Sequence, residues 1–439
     1  MFRYSCFCLF AVIVTAGNGK SVAQEVRILE AGPRQVAAGR LPDNSWPEAP
    51  PWLVTRDGWT KAYITTGWTW AAWLQPERSF LHDPDAFLLD SSYRVSAGVI
   101  HEQDRPPQDL LNPLPYWRRN YYGVFSAHLL RGQENGGDYI LALLHGENKN
   151  ERVWPGIYYD NTILPPRRYQ PEEYSGMDPV SGEYQDQWET YFAFTGLSWC
   201  PLSDSDGNRL MGYDQGPCLW PSAGYLRDGT MVSRGLRHPS SIVHDGYLYV
   251  YYLEEFPGLD EPGRKPGIKL ARALLKEATR PGSLRCWYDG GFRQPSLPQG
   301  FHRHNQDFLS VPGGRSEAII PDYCLRFSVA RLLGADSFLS VEQRIIGGDE
   351  YALFLRTSDD LVHWSQGVEV PDSRHPWPEG FHYPVFADLD FTSNTCIDPD
   401  GFYLVGSVLN AEQASPEPRV AIRRLKVRVG RVFQKRKAD

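Results

Sequence analysis

A strand–turn–strand unit recurs along this chain and limits its fold more than any other feature. In the clearest copy, the runs Ser240–Val243 and Tyr247–Leu253 flank the tight turn His244-Asp245-Gly246. Tyr and Val suit a pleated surface, and Asp-Gly between two apolar runs is typical of a hairpin. Residues 240–253 are therefore predicted to form a β-hairpin.

Four other stretches have the same organisation, and they span residues 85–102, 125–147, 325–342 and 389–407. Five such units predict radial repetition of small antiparallel sheets, an arrangement in which a propeller protects its sheet edges. We therefore predict an all-β protein with a five-bladed β-propeller fold. The same pattern leaves open a two-sheet sandwich with long loops.

The first 23 residues have the pattern of a secretory signal peptide. Arg3 supplies positive charge, Cys6–Ala16 form an apolar core, and Ser21-Val22-Ala23 match a cleavage site. The apolar run is too short to anchor the chain across a bilayer. We expect an exported protein, periplasmic or extracellular, without a membrane span.

Three further boundaries follow from composition. Residues 24–58 are rich in proline and lack periodicity, which predicts an N-terminal wrap over the body. Residues 59–439 then form the propeller domain. Residues 151–190, rich in proline, tyrosine and acidic residues, are predicted to be an insertion that forms a loop over one face.

Composition and motifs exclude several functions. Lys and Arg number 45 against 53 Asp and Glu, giving a net charge of −8, which argues against a nucleic-acid partner. No phosphate-binding loop, nucleotide fingerprint or nucleophile elbow is present. We expect no cofactor. The cysteines fit neither a zinc site nor a disulfide framework.

No metal site is predicted either. Asp204–Asn208 look like a calcium loop, but the glycine comes too early and a distal glutamate is missing, so a turn is expected. A structural or axial calcium ion, which some sugar-acting propellers hold, leaves no readable pattern in this sequence.

Three stretches resemble a known group. Thr357–Ser365 (TSDDLVHWS) resembles the outer-strand motif of five-bladed β-propeller glycoside hydrolases of the arabinanase, arabinofuranosidase and xylosidase type, those of family 43 and their relatives. Ser240–Tyr252 is similar to their blade hairpin. Leu81–Leu88 (LHDPDAFL) is similar to the start of their first blade, and the likeness extends over most of residues 80–430.

The resemblance implies a site at the propeller axis, where one Asp acts as base, a second Asp tunes the acid, and a Glu is the acid. Asp83 matches the base. His238 occupies the second position, where the group has Asp, and the segment Ser316–Asp322 gives no match to the acid. These departures leave a second possibility open, a propeller that binds glycans without cleaving them.

Glycoside cleavage requires one protonated and one ionised carboxyl group across the scissile bond. Four glutamates end predicted second strands, so antiparallel pairing should bring them to the face where Asp83 and His238 begin first strands. They are Glu102, Glu147, Glu254 and Glu342. We expect Asp83 or Glu102 as base or nucleophile and Glu147 as acid.

The remaining candidates are polar groups that could bind substrate. Arg237 beside His238 suits an anionic substrate or the tuning of a carboxyl group, and His145 or Lys149 could bond a sugar hydroxyl. The complete substrate-binding set is His101, His145, Lys149, Arg237, His238, Glu254, Asp322 and Glu342.

These observations predict a secreted glycoside hydrolase that degrades a polysaccharide or oligosaccharide. The resemblance favours a glycan that contains furanoside or pentose residues, with paired carboxyl groups at the axis. The alternatives are a non-catalytic glycan-binding propeller, or a lyase or phosphorylase on the same scaffold.

Overall fold

A computed structural model describes most of the strand-forming parts of the chain. The described residues are 24–36, 49–56, 59–65, 69–74, 93–94, 121–131, 137–149, 191–202, 213–227, 230–255, 267–302, 306–322, 324–347, 350–376, 380–410 and 417–431. Within these ranges the regular structure is almost entirely β, with short 3₁₀ helices at Leu275–Glu277 and Gln306–Ser310. None of the helices described there has the length and apolar character needed to cross a membrane.

The strands form five successive blades of mainly antiparallel strands, which we number in the order of their inner strands. A parallel pairing of Gly235 with Ala193 joins blades 2 and 3 into one continuous sheet. Blade 1 contains β2 (Trp52–Arg56), β3 (Trp59–Thr65), β4 (Thr69–Leu74) and β5 (Tyr93–Arg94). Blade 2 contains β6 (Tyr121–Leu130), β7 (Tyr139–Lys149), β8 (Tyr191–Pro201) and β9 (Tyr213–Pro217).

Blades 3 and 4 follow a small two-stranded ribbon, β10 (Leu226–Arg227) with β11 (Thr230–Met231). Blade 3 contains β12 (Gly235–His244), β13 (Tyr247–Glu255), β14 (Ile268–Leu274), β15 (Arg285–Tyr288), β16 (Gly291–Pro295) and the short β17 (Ala318–Ile320). Blade 4 contains β18 (Cys324–Leu332), β19 (Phe338–Gly347), β20 (Glu350–Ser358), β21 (Val368–Glu369) and β22 (His375–Pro376).

Blade 5 is built from both ends of the chain. It contains β23 (His382–Ala387), β25 (Phe402–Asn410), β26 (Glu417–Arg431) and β1 (Gln24–Val36), in that order from the inside. The two-residue β24 (Cys396–Ile397) instead pairs in parallel with β18 of blade 4.

The inner strands lie side by side in a ring. Contacts join β2 to β6, β6 to β12, β12 to β18 and β18 to β23. Blade 5 then meets blade 1, where the Leu53 N–H donates to Asn394 Oδ1 and Thr55 Oγ1 donates to the Thr392 carbonyl at 2.6 Å. Five sheets in cyclic order around one axis make a five-bladed β-propeller, so the fold predicted from the repeated hairpin is confirmed.

Apolar layers between neighbouring blades hold the ring together. Leu248, Val250 and Tyr252 of β13 face blade 2, whereas Tyr249, Tyr251 and Leu253 of the same strand face blade 4. Successive side chains of a strand point to opposite faces, so alternation along one strand contributes to two layers. Blade 1 packs in the same way between blades 2 and 5.

The start of the chain takes a different place from the one predicted. The described parts of residues 24–58 are strands of the blades rather than a wrap, since β1 is the outer strand of blade 5, paired antiparallel with β26, and β2 is the inner strand of blade 1. These two strands bury Val26 and Trp52 respectively. The proline-rich composition obscured them.

Two of the five predicted units are also placed differently. The inner hairpin of blade 1 is β2–β3, and the described part of the predicted unit 85–102, Tyr93–Arg94, pairs on the outside with β4. In blade 5, the partner of β25 is His382–Ala387 rather than the stretch beginning at Leu389. The other three units form β6–β7, β12–β13 and β18–β19 as predicted.

Candidate active site

Register shifts recur near the starts of the inner strands of blades 2 to 5. In blade 2 the shift lies between Val124 and Ser126, which leaves Phe125 as the extra residue. Equivalent shifts fall at His238-Pro239, at Leu325 and at Tyr383-Pro384. A bulge re-aims the side chain that it carries, so each blade can direct one side chain toward the axis.

Three of these side chains meet there. The rings of Phe125 and His238 are stacked with centroids 5.7 Å apart. Tyr383 contacts both edge-on, at 6.1 Å from Phe125 and 6.0 Å from His238. Blade 1 contributes Ala49, which is fully buried with Phe125 and Tyr383 just before β2. We call Ala49, Phe125, His238 and Tyr383 the axial cluster.

The backbone is strained at two members of this cluster. His238 and Tyr383 both have φ near +50°, a region that side-chain-bearing residues seldom occupy. Each precedes a proline, which normally favours an extended conformation in the residue before it. Strain of this kind costs on the order of 1–3 kcal/mol and concentrates at functional sites. The strain at His238 and Tyr383 is therefore a reason to look for the functional site at the axial cluster.

A buried acid–imidazole pair lies beside the axial cluster. His145 and Glu147 stand two residues apart on β7, so their side chains share a face, and His145 Nε2 lies 3.1 Å from Glu147 Oε1. The His145 ring also contacts Phe125 at 5.1 Å and His238 at 5.4 Å. This contact places the Glu147 carboxyl group next to the cluster.

Two arginines complete the site. The Arg326 guanidinium lies over the Tyr383 ring at 4.2 Å, and its Nη1 is 2.8 Å from His238 Nδ1. The same nitrogen donates to the Leu325 carbonyl at 2.8 Å. Arg237, which is buried, acts electrostatically on both His145 and His238.

Burial and positive charge keep both imidazoles neutral. Desolvation lowers the pKa of His238 well below its usual value, and the charges of Arg326 and Arg237 lower it further. Desolvation also lowers the pKa of His145, against the opposing effect of Glu147. Neutral imidazoles can accept or donate a hydrogen bond, so at neutral pH they can orient Glu147 and hydroxyl groups of a ligand.

Glu254 belongs to a different group, contrary to the prediction that it faces the axis. It is fully buried on the face of β13 that packs toward blade 2. Its carboxylate accepts hydrogen bonds from the Ser222 N–H at 3.1 Å and from Lys269. Lys269 also donates to Ser316 at 3.0 Å. These contacts make Glu254 part of an ion pair within the blade.

Glu342 and Asp322 are likewise paired with cations. Glu342 is fully buried, with Oε1 2.6 Å from Arg356 Nε and Oε2 2.5 Å from Arg344 Nη2. Asp322 bridges the same two arginines. Desolvation raises the pKa of Glu342 while both arginines oppose that rise. These contacts place the two acids in a salt-bridge network within blade 4, and their substrate-binding role stays a prediction.

The two glutamates were misassigned for a common reason. Each was predicted to end a strand and is followed by further polar residues, which from the sequence alone is also typical of a site edge, although β19 continues past Glu342 to Gly347. Each is instead paired with a cation on the third strand of its blade. Lys269 stands opposite Tyr252, two residues before Glu254, and Arg356 stands opposite Ser340, two residues before Glu342. Each cation therefore lies diagonally across from its glutamate.

Some predicted site residues lie outside the described residues, namely Asp83, His101 and Glu102. The side chain of Lys149, at the end of β7, is also not described. The roles predicted for these four residues stay predictions.

The structure adds four residues that the sequence interpretation did not include: Ala49, Phe125, Arg326 and Tyr383. One signal for three of the axial positions was available. Ala49, His238 and Tyr383 are each followed directly by a proline, and each lies in or next to a run of buried residues. No local pattern distinguishes Arg326 from the other arginines of the strands.

No cluster of three or more His, Cys, Asp or Glu side chains suited to a metal ion occurs among the described residues. Five cysteines lie among the described residues, and four of them are buried. Burial raises the pKa of Cys286 to about 11 and of Cys324 well above its usual value. Among the described residues, the polar groups at this site are Glu147, the two imidazoles, the two guanidinium groups and Tyr383.

Comparison with known proteins gives structural similarity only. No known protein-family profile matches the chain, and no curated protein sequence matches it. The catalytic domain of a family 62 α-L-arabinofuranosidase from Coprinopsis cinerea is similar in structure, with 10% identity and a TM-score of 0.39 over 90% of this chain and 96% of that one.

Two further solved structures are similar to the same degree. A family 117 glycoside hydrolase from the marine bacterium Zobellia galactanivorans has 11% identity and a TM-score of 0.40, over 92% of this chain and 90% of its own. An N-acetylgalactosamine deacetylase from F. plautii has 10% identity and a TM-score of 0.39, over 90% and 94%. Similarity of this degree assigns neither a family nor an activity.

Proposed function

We propose that this protein is a glycoside hydrolase, acting at the propeller axis on a glycan that contains furanoside or pentose residues. The observation that carries the proposal is the buried Glu147 carboxyl group, held at 3.1 Å by His145 beside the aromatic rings of the axial cluster. A carboxyl group in such surroundings can serve as a general acid, and aromatic faces suit the apolar faces of sugar rings.

In this proposal Glu147 donates its proton to the glycosidic oxygen as the bond to the leaving group breaks. Neutral His145 orients the carboxyl group, and His238 and Tyr383 contact the sugar. A second carboxylate must act as base on a water molecule or as nucleophile on the sugar carbon. We assign that part to Glu102, one of the two residues that the sequence predicts as base or nucleophile.

The test combines a polysaccharide panel with two variants. The purified protein is incubated with arabinan, arabinoxylan, xylan and other plant and microbial glycans, and new reducing ends are measured. We expect product from at least one glycan, and losses of about 10²–10⁴-fold in kcat for Glu147→Gln and for Glu102→Gln. Full turnover by Glu147→Gln on an accepted glycan would remove Glu147 as the acid.

One observation favours a second function, glycan binding without cleavage. The axial position of blade 1 holds Ala49, and Glu147 is the carboxyl group that adjoins the axial cluster within the described ranges. A site with one carboxyl group can bind a sugar but lacks the pair that hydrolysis needs. Measured binding of an oligosaccharide with no product after long incubation would favour this function.

The products also distinguish the other chemistries of the same scaffold. A sugar phosphate formed only with added phosphate would identify a phosphorylase, and an unsaturated sugar would identify a lyase. We further propose that residues 1–23 direct export. Cell fractionation of the full chain, compared with a chain that lacks these residues, tests that proposal, and recovery of both in the cytoplasm would contradict it.

A further inference from the structure

The arginines of blade 4 differ in how their charges are balanced. Arg344 and Arg356 both bind Glu342 and Asp322. Arg326 belongs to the same blade but has no carboxylate within ion-pair distance among the described residues. Its contacts there are the Leu325 carbonyl, the His238 imidazole and the Tyr383 ring.

The described surroundings of Arg326 do not supply an anion. His238 is a neutral partner, since its pKa lies well below the usual value. Within the described part of the site, Glu147 is the carboxyl group beside the axial cluster, and its hydrogen bond goes to His145.

The guanidinium of Arg326 is also held in a fixed orientation. Stacking on Tyr383 at 4.2 Å and the 2.8 Å contacts to His238 and to the Leu325 carbonyl restrain the plane of the group. A planar, oriented guanidinium matches the two oxygens of a carboxylate or sulfate group. The arginine is only partly buried, so a ligand can reach it.

We infer that the sugar bound at the axis is anionic, and that Arg326 binds its carboxylate or sulfate group. This inference rests on the proposed function, because it names the substrate class of the same site. A pentose-containing glycan with uronate branches fits both the proposed function and an anionic substrate. A uronate and a sulfate ester each carry an oxyanion, and a guanidinium can bind either one.

The test uses glycans with and without their charge. Oligosaccharides from glucuronoxylan and polygalacturonate are compared with the same material after chemical reduction of the carboxyl groups, and a sulfated galactan with its desulfated form. Binding is measured by calorimetry on Glu147→Gln, which prevents turnover, with and without Arg326→Gln added. Arg272→Gln is the matched control, since Arg272 also stacks on rings, at 4.2 Å from Phe292, but on the third strand of blade 3.

We expect at least one charged glycan to bind about 10-fold or more tightly than its neutral form. Arg326→Gln should abolish that preference, and Arg272→Gln should keep it. Preference for the uronates or for the sulfated galactan identifies which oxyanion is bound. Equal binding of charged and neutral forms, or no binding of any charged form by the folded protein, would overturn the inference.

The same experiment separates this inference from the proposed hydrolysis. Wild-type protein is incubated with every glycan that binds, and the products are analysed. If a charged glycan binds through Arg326 but stays intact, the inference of an anionic ligand stands and the proposed hydrolysis is wrong. If a neutral glycan is cleaved and charge gives no preference, the proposed hydrolysis stands and the inference of an anionic substrate is wrong.

Discussion

Phe125 and His238 come from bulges in two successive blades, and their rings stack at the propeller axis with centroids 5.7 Å apart. The contact shows what the bulges achieve. Side chains of an inner strand normally point into the layers between blades. The extra residue at a bulge turns one side chain out of these layers and toward the propeller axis. The site is thus assembled from irregular positions in an otherwise regular fold.

The acid–imidazole pair on β7 gives the first prediction. Replacing His145 with Ala should lower kcat on an accepted glycan by about 10-fold or more with little change in KM, because His145 orients Glu147 at 3.1 Å rather than binding the sugar itself. Steady-state kinetics measure the split. His363→Ala is the control, since His363 is exposed and bonded to Asp360. A rise in KM at constant kcat would contradict the orienting role.

The second prediction concerns acid stability. Burial lowers the pKa of His128 from 6.5 to about 4. Between these values the unfolded chain binds a proton that the folded chain does not, so this stabilising term is complete above pH 6.5 and is lost as the pH falls toward 4. The loss should be on the order of 1–3 kcal/mol.

Urea unfolding of wild-type protein and His128→Asn between pH 7 and pH 4 measures that effect. The free energy of unfolding of the wild type should fall more steeply than that of the variant, although the variant loses the 2.7 Å contact between His128 Nε2 and Ser241 Oγ at every pH. Parallel curves for the two proteins would show that His128 does not titrate in this way.

The third prediction concerns the buried pair in blade 3. Glu254→Ala should lower the free energy of unfolding by about 3–5 kcal/mol, because it leaves the Lys269 ammonium buried without its anion. The double variant Glu254→Met with Lys269→Met should lose much less. Denaturant unfolding of both variants provides the comparison.

An exposed pair serves as the control for that experiment. Arg374→Ala breaks the pairing with Glu369 at the surface and should produce no measurable loss. If Glu254→Ala were as stable as wild type but unable to bind glycan, Glu254 would belong to the site after all.

The fourth prediction tests the bulge at Tyr383. Gly406 lies opposite this bulge, and a Cβ atom there would come within 2.3 Å of the Phe381 ring and 2.5 Å of the His382 carbonyl. Gly406→Ala should therefore destabilise the protein by about 1–3 kcal/mol and weaken glycan binding. Gly430→Ala, where nothing lies within 4 Å, is the matched control. Thermal unfolding and calorimetry provide both readouts.

The predicted and observed folds agree where strand pairing is local. The hairpin β12–β13 was readable because its two runs flank Asp245-Gly246, and Gly246 takes the positive φ, +74°, that the turn requires. The strand β1 was not readable, because its partner β26 lies almost a whole chain length away. A proline-rich segment gives no local sign of such a partner.

The site was only partly predictable for a related reason. His145, Glu147, Arg237 and His238 stand at the ends of strands, where polar residues are noticeable in an apolar pattern. Phe125 and Tyr383 look like core residues, and only a register shift turns them toward the axis. Glu254 shows the converse, because its charge suggested a site although Lys269 neutralises it.

The pairing of β1 with β26 has a consequence for how the chain reaches its native state. These strands, the first and last in sequence, share the outermost edge of blade 5. During synthesis β1 emerges first and keeps an unpaired edge, which can pair with other chains, until the 15 residues of β26 are complete. Contacts between such distant segments form slowly because of the entropy of closing a long loop. We therefore expect ring closure to be a late step in folding.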